Sequence, residues 1–233
     1  TWLDVRDCIA TDNTYRDAKI DWQLTQDNIT GVVPGLLSKG LVLTQGFVGG
    51  TSENFTTTLG REGSDFTAAI FSYCLDAASM SIWKDVPGVL AGDPRLFDNM
   101  PLLSKVSYSE AIEMTYYGAQ VIHPKTIQPL QNKKIQLHVK SFVHPQGEGT
   151  TIGSFEQQDY PPIIVVKNKQ VLLKIISRDF HFVDEAKFSA LFAALAQHRI
   201  KVNITQNTAL AFAVCVNADT IKIEKLIEVI QND

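Results

Sequence analysis

Phe66, Ala69, Ile70, Tyr73, Cys74 and Ala77 recur at the three-and-four spacing of one helix face. Ahead of them, the apolar run Leu41-Val42-Leu43, ending at Gly46, predicts a short buried strand. A polar loop holding Gly46, Gly49, Gly50, Gly60 and Gly63 lies between the two. Ser81-Ile82-Trp83 predicts the next strand. Ser107 with Glu110 three residues on is a capping box, and Gly118 falls where that helix would stop. Ile135, Leu137 and Val139 alternate as in a half-exposed strand. Strand, loop, helix and strand in this order argue for an α/β sheet with parallel pairs.

The C-terminal third has a tighter rhythm. Val171-Leu172-Leu173-Lys174-Ile175-Ile176 predicts a strand, and Asp184 can cap a helix whose face is Phe188, Leu191, Phe192 and Leu195. Val202-Asn203-Ile204 and the run 210–216 read as two strands. Asp219 then caps a helix with Ile223, Leu226, Ile227 and Ile230 turned inward. The order βαββα is one strand short of a ferredoxin-like βαββαβ unit. That strand is expected from beyond residue 233, from a second chain, or not at all. A polar stretch from Thr151 ends in Pro161-Pro162, so two domains are expected, 1–152 and 161–233, with 153–160 as linker.

Composition narrows the function classes. With 45% hydrophobic and 20% charged residues, the 233-residue chain can bury cores. Twenty-one basic against 25 acidic residues give −4, which lacks the footprint of a general nucleic-acid binder. No apolar run approaches the eighteen or so residues of a membrane span. Cys8, Cys74 and Cys215 are scattered among apolar neighbours, which suggests buried thiols in a reducing, cytoplasmic setting rather than disulfides or a zinc site. The opening Thr1-Trp2-Leu3-Asp4 looks like neither a signal peptide nor a start, so the chain is expected to begin inside a longer protein.

Two segments could carry chemistry. Thr56-Thr57-Thr58-Leu59-Gly60-Arg61-Glu62-Gly63-Ser64-Asp65 runs into a helix start, where free N–H groups and the helix dipole favour an anion. Arg61 offers a planar fork for a carboxylate or phosphate. Ser64 and Asp65 could equally be no more than cap residues. In the second segment, 83–95, Lys84, Asp85 and Arg95 could hold a nucleotide's phosphates and sugar, or the stretch could be two proline turns with solvated charges. His138, His144 and His198 show no metal spacing, and no metal site or catalytic residue is assigned.

TTLGREGSDFTAA at 57–69, WKDVPGVLAGDPR at 83–95 and YYGAQVIHPKT at 116–126 together resemble aspartokinase. Trp2-Leu3-Asp4-Val5-Arg6-Asp7 and Leu43-Thr44-Gln45-Gly46-Phe47 fit the same family in order, and the last third resembles its ACT regulatory module. Acetylglutamate, glutamate and uridylate kinases share parts of the pattern, and a bare amino-acid-binding module is the alternative from another class.

The resemblance implies ATP- and Mg2+-dependent phosphorylation of the L-aspartate side chain, the first step of lysine, threonine and methionine biosynthesis. It implies a substrate pocket of Arg61, Ser64 and Asp65, and a nucleotide segment with Lys84, Asp85 and Arg95. Position 84 is often threonine in that family, and Gln120 replaces a frequent lysine. His123-Pro124 is expected to end an element rather than take a proton. The family's Lys-Phe-Gly-Gly lysine and its aspartate-binding glutamate do not occur in the chain, so a fragment with little turnover by itself is expected. Effector contacts for lysine or threonine fall at His181, Asp184, Lys201, Val202, Asn203 and Thr208, although Asp184 could merely cap and Lys201 merely be solvated. A homodimer through 161–233 is expected.

Overall fold

The computed structural model describes residues 1–119, 122–156, 159–176, 185–208 and 211–232, the side chains of 231 and 232 excepted. The chain forms two compact units, Thr1–Val166 and Lys167–Asp233.

In the first unit the elements run β1 (Trp2–Leu3), α1 (Trp22–Leu37), β2 (Leu43–Thr44), β3 (Val48–Gly50), β4 (Thr56–Thr58), α2 (Gly63–Cys74), β5 (Ser79–Lys84), β6 (Lys105–Ser107), α3 (Tyr108–Tyr117), α4 (Pro124–Lys133), β7 (Gln136–Ser141) and β8 (Thr150–Gly153). The main sheet has the order β5-β7-β8-β6, with β5 parallel to β7, β6 parallel to β8, and an antiparallel join between β7 and β8. Met80 and Ile82 on β5 and Leu137 and Val139 on β7 alternate into one core with Val106, Ile127, Leu130 and Ile152. A second core joins Val5, Ile9, Ile29, Val33, Leu59, Phe66 and Ile70. Helix α2 faces it, because Phe66 and Ile70 lie one turn apart on one side.

The predicted α3 cap is present: the Ser107 hydroxyl accepts from the Glu110 N–H, and Gly118 ends the helix at φ +127°. Other expectations shift. Helix α2 stops at Cys74, so Ala77 lies beyond it; Asp76 turns left-handed, and the Lys133 ammonium donates to the Tyr73 carbonyl at 2.7 Å, satisfying a terminal acceptor. Leu41-Val42-Leu43 is no buried strand: Leu41 is 90% and Leu43 66% exposed, and only Leu43–Thr44 pairs, with Trp2–Leu3. His123-Pro124 starts an element instead of ending one. Proline at the first helical position has no N–H to lose, and His123 Nδ1 accepts from the Lys125 N–H at 3.2 Å. Residues 160–166 stay with the first unit, with Tyr160, Ile163 and Val165 packed on its core.

The second unit runs β9 (Gln170–Ile176), α5 (Glu185–Gln197), β10 (Val202–Asn207), β11 (Ala211–Asn217) and α6 (Thr220–Asn232). Its antiparallel sheet has the order β10-β11-β9, the ferredoxin-like arrangement over five elements. Leu191 and Leu195 of α5 and Ile223 and Leu226 of α6 cover Phe212, Val214 and Val216. Phe188 and Phe192 meet the Phe212 ring edge-on at 5.1 and 5.7 Å. The Asp219 carboxylate accepts from the Lys222 N–H, as a cap should, whereas Ile227 is exposed at the rim rather than inward. Among the described strands β9 is an edge, with exposed Leu172 and Ile176 flanking Lys174 on its outward side. The expected cap Asp184 and strand residue Leu210 lie outside the described residues. No described helix is long and apolar enough to cross a membrane.

Candidate functional site

The Gly60–Asp65 loop owes its shape to steric necessity. Gly60 sits at φ +81°, a conformation that L side chains rarely adopt, with the Asp17 carboxylate against it. Glu62 then turns left-handed at φ +54° and precedes α2 without a side-chain cap bond. Thr67 fastens a neighbouring loop: its Oγ1 accepts from the Phe47 N–H at 3.0 Å and donates to the Gly63 carbonyl at 2.9 Å. Gly46 is thereby held against Ser64.

Ser64 and Asp65 therefore stand in the first turn and cap nothing. Ser64 is exposed, and Asp65 reaches Lys84 at the end of β5. Their ion pair measures 3.0 Å, with the side chains 17% and 22% exposed. The two motifs thus meet where a helix begins and a parallel-paired strand ends, the usual ligand edge of an open α/β sheet. Asp85 follows, exposed. Arg61 is 68% exposed, its Nε 3.9 Å from Glu62 Oε1. Arg95 is occupied by a neighbour: its guanidinium donates to Asp93 at 2.7 and 3.0 Å, and its N–H to the same carboxylate at 2.9 Å. The Arg95 guanidinium holds the Asp93 carboxyl below the usual range. The Asp93-Pro94-Arg95 turn is real, since Leu96 and Phe97 both donate to the Asp93 carbonyl.

Sequence reading missed a second group around the Arg61 loop. Lys125 pairs with Asp17, and the charges of Glu62, Lys125, Arg61 and Asp17 all act on His123, whose pKa burial lowers. Glu62 Oε2 is buried without a hydrogen-bond partner among the described residues. The His-Pro pair at a helix start was the available signal for this group.

In the second unit Asn203 is buried. It accepts from the Lys167 ammonium at 2.7 Å and donates to Gln170 Oε1 and Asn217 Oδ1 at 2.5 and 2.9 Å. Thr208 sits in the β10–β11 turn, where its N–H donates to the Ala211 carbonyl. Lys201 precedes β10 and Val202 opens it, beside Asn203, so they lie at the opposite end of that strand from Thr208. His181, Asp184 and Gln120 lie outside the described residues. No three His, Cys, Asp or Glu side chains gather to hold a metal among those described.

The profile of the amino acid kinase family matches residues 3–141. The chain is 32% identical over 220 residues to the lysine-sensitive aspartokinase 3 of Escherichia coli (strain K12), spanning 93% of this chain and 48% of that protein. Its fold is similar to the E. coli aspartokinase III structure in complex with aspartate and ADP (TM-score 0.79, 30% identity, 97% of this chain and 53% of that one). It is also similar to the aspartate kinase of Clostridium acetobutylicum (TM-score 0.85, 25% identity, 100% and 53%). The chain thus spans about half the length of these relatives.

Proposed function

The chain belongs to the amino acid kinase family, and we propose that it is part of an aspartate kinase, followed by a regulatory ACT unit. The parent reaction is transfer of ATP's terminal phosphoryl group to the side-chain carboxylate of L-aspartate, the first step of lysine, threonine and methionine biosynthesis, in the cytoplasm. The meeting of Asp65 with Lys84 carries this reading, because it joins the amino-acid loop to the nucleotide segment. The similar E. coli enzyme was solved with aspartate and ADP together, which supports the same pairing of ligands.

Phosphoryl transfer depends on positioning and on charge placed around the phosphates. Arg61, largely exposed, has guanidinium donors turned to solvent that can take a substrate carboxylate. Ser64 and Asp65 line the same helix start. Lys84 supplies a cation that Asp65 orients, with Asp85 and Arg95 in the following turns. Mg2+ enters as the counter-ion of ATP's phosphates.

Lysine or threonine is the proposed effector, held by His181, Asp184, Lys201, Val202, Asn203 and Thr208; a related E. coli structure contains lysine. Asn203 and Thr208 stand five residues apart along β10, about 16 Å. A pocket shared by two copies would let residues from both ends of the strand contribute, and a homodimer through residues 161–233 is part of the proposal. The β9 edge offers a surface for that pairing.

ADP release by the full-length parent, with aspartate, glutamate, acetylglutamate and UMP as rival acceptors, tests the reading. Aspartate alone should support turnover, and comparable rates with another acceptor would overturn it. The 233-residue chain, with no Lys-Phe-Gly-Gly segment in its sequence, should turn over far below the roughly 1–100 per second of ordinary kinases.

A further inference from the structure

Glu62 is an unexpected neighbour for an arginine that is to hold an anion. It stands at φ +54°, a left-handed conformation that a side chain with a Cβ disfavours, and it gives α2 no cap bond in return. Its side chain is only 23% exposed, yet Oε1 lies 3.9 Å from Arg61 Nε, beyond hydrogen-bond reach. Its Oε2 is buried without a partner among the described residues. The groups around it are engaged elsewhere. The Lys125 ammonium is paired with Asp17, and His123 Nδ1 accepts from the Lys125 N–H. Asp65, three residues on, has the Lys84 ammonium at 3.0 Å, so of the two carboxylates in this loop Glu62 is the one without a close cation. A carboxylate held this far from water without a donor is costly, and such a group calls for a donor from outside the chain.

We propose that Arg61 and Glu62 form a clamp for a free α-amino acid, Arg61 taking its carboxylate and Glu62 its ammonium. This rests on the reading of the 60–65 loop as the acceptor site, and Glu62 is a different residue from the glutamate absent from the chain. Side chains of consecutive residues point apart in a helix or a strand. The left-handed turn at Glu62 instead brings a guanidinium and a carboxylate to within 3.9 Å of each other. An amino acid carries its two charges on one carbon, so a ligand whose carboxylate meets the Arg61 fork brings its ammonium to the oxygen beside that fork. With Oε2 buried, Oε1 is the oxygen it meets. The same pair decides what the loop refuses. A phosphate, or a diacid without an amine, gains at Arg61 and is repelled at Glu62, with no cation to offset the loss. The clamp therefore selects free amino acids against nucleoside phosphates, N-acylated amino acids and amine-free diacids.

Steady-state kinetics of the full-length parent carrying Glu62→Gln, which keeps the shape of the side chain and removes its charge, test the clamp. KM for aspartate should rise about ten-fold or more, the worth of a hydrogen bond between charged groups, while KM for ATP stays in place. The inhibition constant of succinate, which is aspartate without its amine, should hold or fall, because a repulsion has been removed. A merely structural role cannot produce these opposite responses, since a loosened loop would weaken both ligands. Glu62→Gly, whose backbone takes φ +54° without strain, should show the same divergence. An unmoved aspartate KM in Glu62→Gln, or aspartate and succinate weakened together, would overturn the clamp and leave aspartate as the acceptor. Turnover of glutamate in place of aspartate by the wild type, with its KM raised in Glu62→Gln, would remove the aspartate reading and leave the clamp standing. Turnover with acetylglutamate or UMP would overturn both.

Discussion

Replacing Lys84 by methionine keeps the length of the side chain and deletes its charge, leaving Asp65 to face a largely buried site alone. At 3.0 Å the gross attraction of the pair is about 5 kcal/mol at an effective dielectric near 20. Desolvation of both ions offsets much of this, and the residual exposure of both lowers the penalty for stranding Asp65 below that of a fully buried pair. The expected loss is about 1–3 kcal/mol, or roughly 3–8 °C in Tm for a chain of this size. The assay is urea and thermal unfolding followed by tryptophan fluorescence. Trp2, Trp22 and Trp83 all lie in the first unit, so the signal follows that unit rather than a blend of two transitions. A cycle with Asp65→Asn isolates the pair: once Asp65 is neutral, Lys84→Met should cost about 1–2 kcal/mol less. Additivity within about 0.4 kcal/mol would refute the claim that the two motifs are coupled through this contact.

Arg61→Ala should leave stability within about 0.5 kcal/mol, because the side chain is mostly exposed, yet weaken aspartate use in the full-length parent by about 2–5 kcal/mol with ATP use nearly unchanged; an unmoved aspartate KM and kcat would remove Arg61 from the pocket. His123 binds a proton less readily folded than unfolded, because burial disfavours the cation. The unfolded chain therefore takes up more protons, and stability present above histidine's ordinary range should fall as pH drops through it; His123→Asn, which keeps a cap acceptor, should flatten that slope. Burial pushes the Cys8 and Cys74 thiols up to about 11, so at pH 8 both should resist a thiol reagent until the first unit unfolds, and rapid labelling of either in the native chain would contradict their placement.

Local signals in the sequence proved legible where local chemistry decides the outcome. Ser107 and Glu110 specify their cap with four residues, and the period of Phe66, Ala69 and Ile70 specifies α2 because its apolar positions meet two cores, Phe66 and Ile70 one and Ala69 the other. Leu41-Val42-Leu43 misled because an apolar run announces burial only when something covers it, and here a two-residue partner leaves it open. Helix α1 went unread although Asp21 caps it and Thr25, Ile29 and Val33 mark its buried side; the polar residues between them and Pro34 within it mask the period. The site was legible as two separate motifs. Their junction at Asp65 and Lys84 depends on how α2 returns the chain to β5, and the Asp17–Lys125 pair spans 108 positions, which no local pattern encodes.

The outward side of β9 has a bearing on how the chain behaves in bulk. Val171-Leu172-Leu173-Lys174-Ile175-Ile176 would be a strong self-stacking hexamer but for its one cation. Chains that add to this edge in register must set Lys174 over Lys174, a repeating repulsion that costs more with each copy, whereas a single closed pairing meets it once. The lysine thus acts as a gatekeeper against open-ended assembly while leaving a finite complex accessible. Preparations carrying an apolar residue at 174 would be expected to form insoluble material at concentrations where the same chain with Lys174 stays clear.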